Sequence, residues 1–229
     1  MTLPNEISAD LSSEDLMWKA WHDFHYLCDS SRMQKIFARH RLFLQVKDLP
    51  GNIIDAGVFK GPSTLLFAHM LKTYTPHARR KVVGFDTFES SFIDAQPFES
   101  ERAHDFMGHH EGGALEKLNA VISAQALENY CELIPGDITE TFPQFIADNR
   151  GMRISLLHLD LDVYEPTLAV LRSAWDIMVP GGLIILDEYG VEGWGESDAI
   201  DTFFRERQIR PEIQGVSDSS TPTAIIKVS

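Results

Sequence analysis

Five short apolar runs, each ending in or beside an aspartate and four of them leading into a helix-patterned stretch, restrict this chain more than any other feature. The aspartates are Asp55, Asp86, Asp137, Asp160 and Asp187. Runs of this length between amphipathic segments read as buried strands joined by crossover helices. Such alternation predicts a mostly parallel, Rossmann-like α/β sheet with helices on both faces. In sheets of that kind ligands sit beyond the carboxyl ends of the strands, so the five acids would face one common site. Helices are expected over residues 12–28, 31–46, 62–73, 114–129, 139–149, 165–178 and 196–207. Pro180-Gly181-Gly182 is expected to stop the helix before it and precede the fifth strand, 183–186. Stretches around 211–216 and 223–228, split by Ser217-Asp218-Ser219-Ser220, predict a closing antiparallel hairpin. The sheet would then have seven strands. Residues 87–113 are long for a loop and carry His104, His109 and His110; loops of that length are usually functional.

Composition narrows the partners. The chain has 229 residues, with 34 acids against 20 bases and a net charge of −14. That balance disfavours nucleic acid, which needs clustered Lys and Arg, and anionic membrane surfaces. No apolar run approaches the roughly 18 residues of a membrane span. The N-terminal stretch is polar and acidic, unlike a targeting peptide, and the two cysteines, Cys28 and Cys131, make neither a disulfide framework nor a zinc cluster. A cytoplasmic location is the expectation. Division into an N-terminal helical appendage, 1–48, and a sheet domain, 49–229, follows from the change of pattern after Pro50-Gly51. The appendage is a candidate for substrate and subunit contacts, which makes a homo-oligomer the expected assembly.

The strand-end acids suggest chemistry. In the first turn, Asp55-Ala56-Gly57-Val58-Phe59-Lys60-Gly61, two glycines permit close backbone approach, and the helix start at Ser63-Thr64 offers N–H groups to an anion. The turn is not GxGxxG, so a nucleoside bearing a carboxylate suits it better than a pyrophosphate. Asp86 can accept ribose hydroxyls, and Asp137 after Gly136 can accept an adenine amine or cap the next helix. Asp160 and Asp187 would emerge side by side, with Glu188 next, and three converging carboxylates call for a cation. Oxygen donors without Cys or His select Mg²⁺, Mn²⁺ or Ca²⁺ over zinc. Asp162 would point to the opposite side by strand alternation and is a candidate supporting residue. The basic stretch Arg32, Lys35, Arg39, Arg41 reads either as a solvated helix face or as a contact for an anionic acceptor.

Taken together, these motifs resemble a class I S-adenosylmethionine-dependent methyltransferase, and more closely the macrocin O-methyltransferase family of sugar O-methyltransferases. The resemblance rests on Gly57-Val58-Phe59-Lys60-Gly61, Asp86-Thr87-Phe88, the run Asp160 to Thr167, and Pro180-Gly181-Gly182 followed by an apolar strand and Asp187-Glu188-Tyr189; it spans about residues 33 to 208. It implies an enzyme that moves a methyl group from S-adenosylmethionine to a hydroxyl of a sugar, glycoside or nucleotide sugar. Cofactor contacts would come from Asp55, Gly57, Gly61, Ser63, Thr64, Asp86, Thr87, Phe88, Gly136, Asp137 and Asp160. Mg²⁺ or Mn²⁺ would be held by Asp160, Asp187 and Glu188. The base candidates are His109, His110 and Asp160, and Trp194 is a candidate for stacking on the acceptor or for packing. The competing readings are an NAD-dependent oxidoreductase and a non-catalytic nucleoside-binding protein on the same kind of sheet.

Overall fold

A computed structural model describes residues 14–89, 98–99 and 114–229. Seven α-helices are found among the described residues. In chain order the elements are α1 (Glu14–Leu27), α2 (Ser30–Val46), β1 (Asn52–Ala56), α3 (Pro62–Tyr74), β2 (Val82–Asp86), α4 (Ala114–Ala124), β3 (Cys131–Pro135) and α5 (Ile138–Asp148). They continue with β4 (Ile154–Leu159), α6 (Tyr164–Ala174), a 3₁₀ turn (Trp175–Ile177), β5 (Met178–Leu186), α7 (Glu196–Arg207), β6 (Ile213–Gly215) and β7 (Ala224–Lys227). The sheet has seven strands in the order β3-β2-β1-β4-β5-β7-β6. Strands β1 to β5 run parallel, and β7 is antiparallel to both β5 and β6. This is the doubly wound sheet with a closing hairpin that the alternation predicts. Order reverses between β1 and β4, and the crevice at that point is where a ligand fits.

Side-chain parity along the strands sorts the core into two layers. Ile54 and Ala56 of β1, Leu157 and Leu159 of β4 and Ile184 and Leu186 of β5 pack against α5, α6 and α7 through Phe142, Leu171 and Phe203. Ile53, Leu156, Leu183 and Ile185 face the other way, against α2, α3 and α4. Asp55 shares the parity of Ile53, and His158 that of Leu156. Both polar groups therefore lie in the α2–α3 layer, each fully buried. Helix α2 is part of that layer: Ala38, Leu42, Phe43 and Val46 are completely enclosed. Helix α1, by contrast, leaves Met17, Trp18, Trp21, Tyr26 and Leu27 exposed.

Three elements differ from the sequence reading, and one is α6, which ends at Ala174 rather than 178 because the chain tightens into the 3₁₀ turn Trp175–Ile177 and then enters β5. Pro180-Gly181-Gly182 does not precede the fifth strand but lies inside it, since β5 starts at Met178. Pairing jumps from Ile154↔Met178 to Leu156↔Leu183, so the extra residues form a bulge, with Gly181 at φ +81° and its N–H donating to Val228. Helix α4 ends at Ala124 rather than 129, because Ala126 turns left-handed at φ +52° and the Leu127 N–H reaches back to Ile122 O. No described helix is long and apolar enough to cross a membrane.

Candidate active site

The carboxyl ends of the strands open into a cavity of about 1120 Å³, lined from the sheet side by Gly57, Ser63, Asp86, Gly136, Asp137, Asp160 and Asp187. Helices α1 and α2 and the joint between them close the opposite side with Phe24, Cys28, Arg32, Lys35 and Arg39. Ligand pockets commonly measure about 300–1,000 Å³, so this one has room for two small molecules side by side.

One wall is the turn after β1. Gly57 sits at φ +96°, and a side chain there would run into the main-chain carbonyl of Asp160. The ends of β1, β2 and β4 are laced together: Gly57 N donates to Phe85 O, and Asp160 N to Ala56 O. Asp86 fastens the same turn, its Oδ2 accepting from Val58 N and Phe59 N at 2.9 and 2.8 Å and its Oδ1 from Phe88 N at 2.8 Å. A carboxylate has about four accepting positions, so Asp86 keeps room for one ribose hydroxyl, where two were expected. Phe59 and Phe88 both have positive φ, at 52° and 54°. That conformation is rare for bulky residues and concentrates at functional sites. Helix α3 begins with Pro62 and no side-chain cap, which leaves its first N–H groups to a ligand.

Asp55, Gly61, Thr64 and Phe88 are not on the cavity wall. Asp55 is fully enclosed and accepts from Ser63 Oγ at 2.8 Å and from Thr64 Oγ1, so these groups brace the turn from behind the cavity wall. Ser63 reaches the wall, and Thr87, Gly136 and Asp137 line it. Asp137 also caps α5, with Oδ1 accepting from Thr139 N and Oγ1 at 2.8 Å, so the capping reading of this residue holds.

The other wall is acidic: Asp160, Asp162, Asp187 and Glu188 all line the cavity, with Trp194 beside them. Asp162 faces the site, contrary to expectation: alternation sets residues two apart on one face and so groups it with Asp160, and beyond the end of β4 at Leu159 the chain turns through φ +65° at Asp162. The donor atoms that converge within 4.8 Å are those of His158, Asp160 and Asp187. His158, unremarked by the sequence reading as a site residue, links the two walls. Its Nδ1 lies 2.6 Å from Asp55 Oδ1, and its Nε2 3.4 Å from Asp187 Oδ1. Burial disfavours its charge, but hydrogen bonds to Asp187 and Asp55 outweigh that and raise the imidazole to about 9. Held between Asp55 and Asp187, His158 fixes the orientation of the Asp187 carboxylate. Asp187 is held below the usual carboxylate range: burial opposes this, and the His158 hydrogen bond and charge, with Arg39, overcome it. Asp160 is pushed up by burial and then by the Asp187 charge, and Asp162 rises for the same reasons with Asp160 as its strongest neighbour.

Two buried acids escaped the sequence reading. Glu196 is fully enclosed; its Oε1 accepts from Glu188 N at 3.1 Å and its Oε2 has no partner. Burial, then Asp187 and Asp160, hold it well above the ordinary range. Glu99, also enclosed, accepts from Tyr164 N and so supplies the cap that α6 lacks locally. Both sit in short segments of mixed polar, glycine and aromatic residues, so no periodicity marks them. His109 and His110 lie outside the described residues.

Such an excess of crowded acids, with Asp160, Asp187 and nearby Glu188 as oxygen donors, fits a hard divalent cation. The thiols differ in the same cavity frame. Cys131 is enclosed and its thiol is pushed up to about 12, chiefly by burial and then by Asp55, whereas Cys28 is half-buried at the cavity wall. A disulfide reagent at pH 8 is expected to titrate one thiol in the native protein and two after denaturation; two native thiols would contradict the burial of Cys131.

A family model described as macrocin-O-methyltransferase (TylF) matches residues 22–221. Among curated proteins, an 8-demethyl-8-(2,3-dimethoxy-alpha-L-rhamnosyl)-tetracenomycin-C 4'-O-methyltransferase of Streptomyces olivaceus is 27% identical over 150 residues, 63% of this chain and 55% of that protein. A mycinamicin III 3''-O-methyltransferase of Micromonospora griseorubida is 25% identical over 65% of this chain and 59% of that protein. The chain thus spans little more than half the length of these relatives. Among solved structures, the calicheamicin methyltransferase CalS11 superposes with a TM-score of 0.82 at 26% identity, covering 97% of this chain and 89% of that one.

Proposed function

The chain belongs to the macrocin-O-methyltransferase (TylF) family, and from that premise we propose that it transfers a methyl group from S-adenosylmethionine to a hydroxyl of a sugar-bearing or other diol-bearing small molecule in natural-product biosynthesis. The observation that carries this reading is one cavity joining a strand-end glycine turn to a carboxylate cluster. Bound S-adenosylmethionine supplies an electrophilic methyl carbon: the acceptor oxygen bonds to it, the carbon–sulfur pair stays on sulfur, and the hydroxyl proton goes to a base. Gly57 and the first turn of α3 would cradle the amino-acid end, with Asp86 taking a ribose hydroxyl and Asp137 the adenine side. Asp160 is the proposed base, since its carboxylate lines the cavity between the glycine turn and the other acids. Mg²⁺ or Mn²⁺ on Asp160, Asp187 and Glu188 would fix the diol and acidify its hydroxyl. The remaining contribution of the chain is placement, because in-line displacement rewards fixed geometry.

The acceptor would lie against α1 and α2. Arg32 and Lys35 line that side, which supports an acceptor carrying phosphate, such as a nucleotide sugar, beside neutral glycosides. The exposed aromatic side of α1 supports the homo-oligomer expected for this chain; light scattering that reads a monomer would remove it. The function is tested by calorimetry with S-adenosylmethionine and by label transfer from it to a panel of glycosides and nucleotide sugars, with and without EDTA. Micromolar binding and transfer lost in EDTA, then restored by Mg²⁺ or Mn²⁺, are expected. No binding at millimolar S-adenosylmethionine, or tight binding of NAD in its place, sinks the reading. Transfer indifferent to EDTA removes the metal alone.

A further inference from the structure

Helix α2 delivers one side chain into the carboxylate cluster. Arg32, Lys35 and Arg39 recur at helical spacing on the cavity side of α2, while Ala38, Leu42, Phe43 and Val46 fix the helix to the sheet. Arg39 is the deepest of the three and only 8% exposed. Its Nη2 lies 3.0 Å from Asp187 Oδ1, 3.8 Å from Asp160 Oδ2 and 3.4 Å from His158 Nε2. Those are the same three residues whose donor atoms converge within 4.8 Å. One guanidinium nitrogen thus stands at the focus of the only such cluster found among the described residues.

We propose that Arg39 is a resident internal cation of the metal site, which neutralises Asp160 and Asp187 until a divalent ion displaces its Nη2 from Asp187. The inference rests on the reading of the cluster as a divalent-metal site. A guanidinium does not lose its proton in proteins, so it cannot step aside by titrating. It has to move, because a divalent ion would add its charge to the two already at Asp187, and of those His158 is pinned between Asp55 and Asp187 whereas the guanidinium rides on a flexible stem. Its hold is weak enough to be exchanged. Contact with the cluster runs through Nη2 alone, and Nε is buried without any partner. A guanidinium well seated for good would use its planar fork on one carboxylate. Metal occupancy is in this way linked to the seating of α2, the helix that also borders the acceptor side of the cavity.

Mn²⁺ is the probe, followed by calorimetry and by the electron-spin signal of the free ion, on the wild type, Arg39→Met and Arg39→Lys without acceptor. Arg39→Met keeps the length and apolar stem while removing the competing charge, and is expected to bind Mn²⁺ about tenfold tighter or more. Arg39→Lys keeps a cation and is expected to stay within about threefold of the wild type. A second readout needs no variant: saturating Mn²⁺ should speed amide exchange in α2 of the wild type, as its buried anchor is released. Mn²⁺ binding by Arg39→Met that equals or falls below the wild type overturns the proposal. So does α2 exchange that Mn²⁺ leaves unchanged or slows. S-adenosylmethionine binding measured on the same samples separates the two levels: its absence sinks the methyltransferase reading, whereas its presence with no Mn²⁺ binding in any sample sinks the metal site and this inference with it.

Discussion

Asp187→Asn is expected to lower kcat/KM for methyl transfer by about 10³-fold or more while S-adenosylmethionine binding changes only a few-fold. The carboxylate stands where Arg39 and His158 meet, at 3.0 and 3.4 Å. It is also one of the proposed oxygen donors to the metal. An amide in its place is neutral, so the donor set loses a charge and the two buried cations are left facing each other. Breaking one partner of a buried pair costs about 3–5 kcal/mol, which for a domain of this size lowers Tm by roughly 10 °C. The substitution therefore acts twice, and the two effects are separable. Thermal melting reads the lost pairing, and single-turnover transfer at a temperature well below the melt reads the chemistry. Turnover within about tenfold of the wild type, in folded protein, would take Asp187 out of the reaction. Asp160→Asn is the comparison: its closest cationic neighbour is 3.8 Å away and a third of its side chain is exposed, so a smaller loss of stability with a comparable loss of turnover is expected.

The strand ends were legible because they obey local rules. Apolar runs of strand length between amphipathic segments have few other readings, and the ends of β1, β2, β4 and β5 fall within a residue of the acids read at those positions. The chemistry behind those acids was less so. Asp55 looked like its four counterparts, yet parity turns it into the α2–α3 layer, where it is buried and braces the turn through Ser63 and Thr64. His158 carries the same parity, and only the register Asp55↔His158 between β1 and β4 reveals that they pair. Arg39 lies 119 and 148 residues from the groups it meets, so no window of sequence contains the cluster. As one base in a basic stretch it read as part of a solvated or anion-facing helix. Asp162 was misplaced because alternation was applied wrongly: it sets residues two apart on one face, which groups Asp162 with Asp160. Pro180-Gly181-Gly182 misled likewise, because a bulge beside β4 accommodates residues that elsewhere end an element.

Gly57→Val is expected to abolish measurable S-adenosylmethionine binding, a weakening of about a hundredfold or more, and Gly57→Ala to weaken it substantially. Two costs arise at this position. The backbone is at φ +96°, which charges a side-chain-bearing residue about 1–3 kcal/mol. A Cβ would also overlap the Asp160 carbonyl, which is main chain and cannot rotate away as a side-chain tip can. The relief has to come from moving the segment after β4, and that segment holds Asp160 and Asp162 against the cavity. Gly151 separates the two costs. It has φ +88° in the turn between α5 and β4, but nothing lies within 4 Å of a Cβ there. Gly151→Ala is therefore expected to pay the backbone strain alone, with a Tm drop of a few degrees and cofactor affinity unchanged. If Gly57→Ala matches Gly151→Ala in both melting and affinity, close approach of the first turn to the Asp160 segment is not what shapes the cofactor site. If its affinity falls while melting shifts little further, the collision is transmitted to the ligand. Loss of both would show that the junction of β1 and β4 holds the sheet and the site together through a single contact.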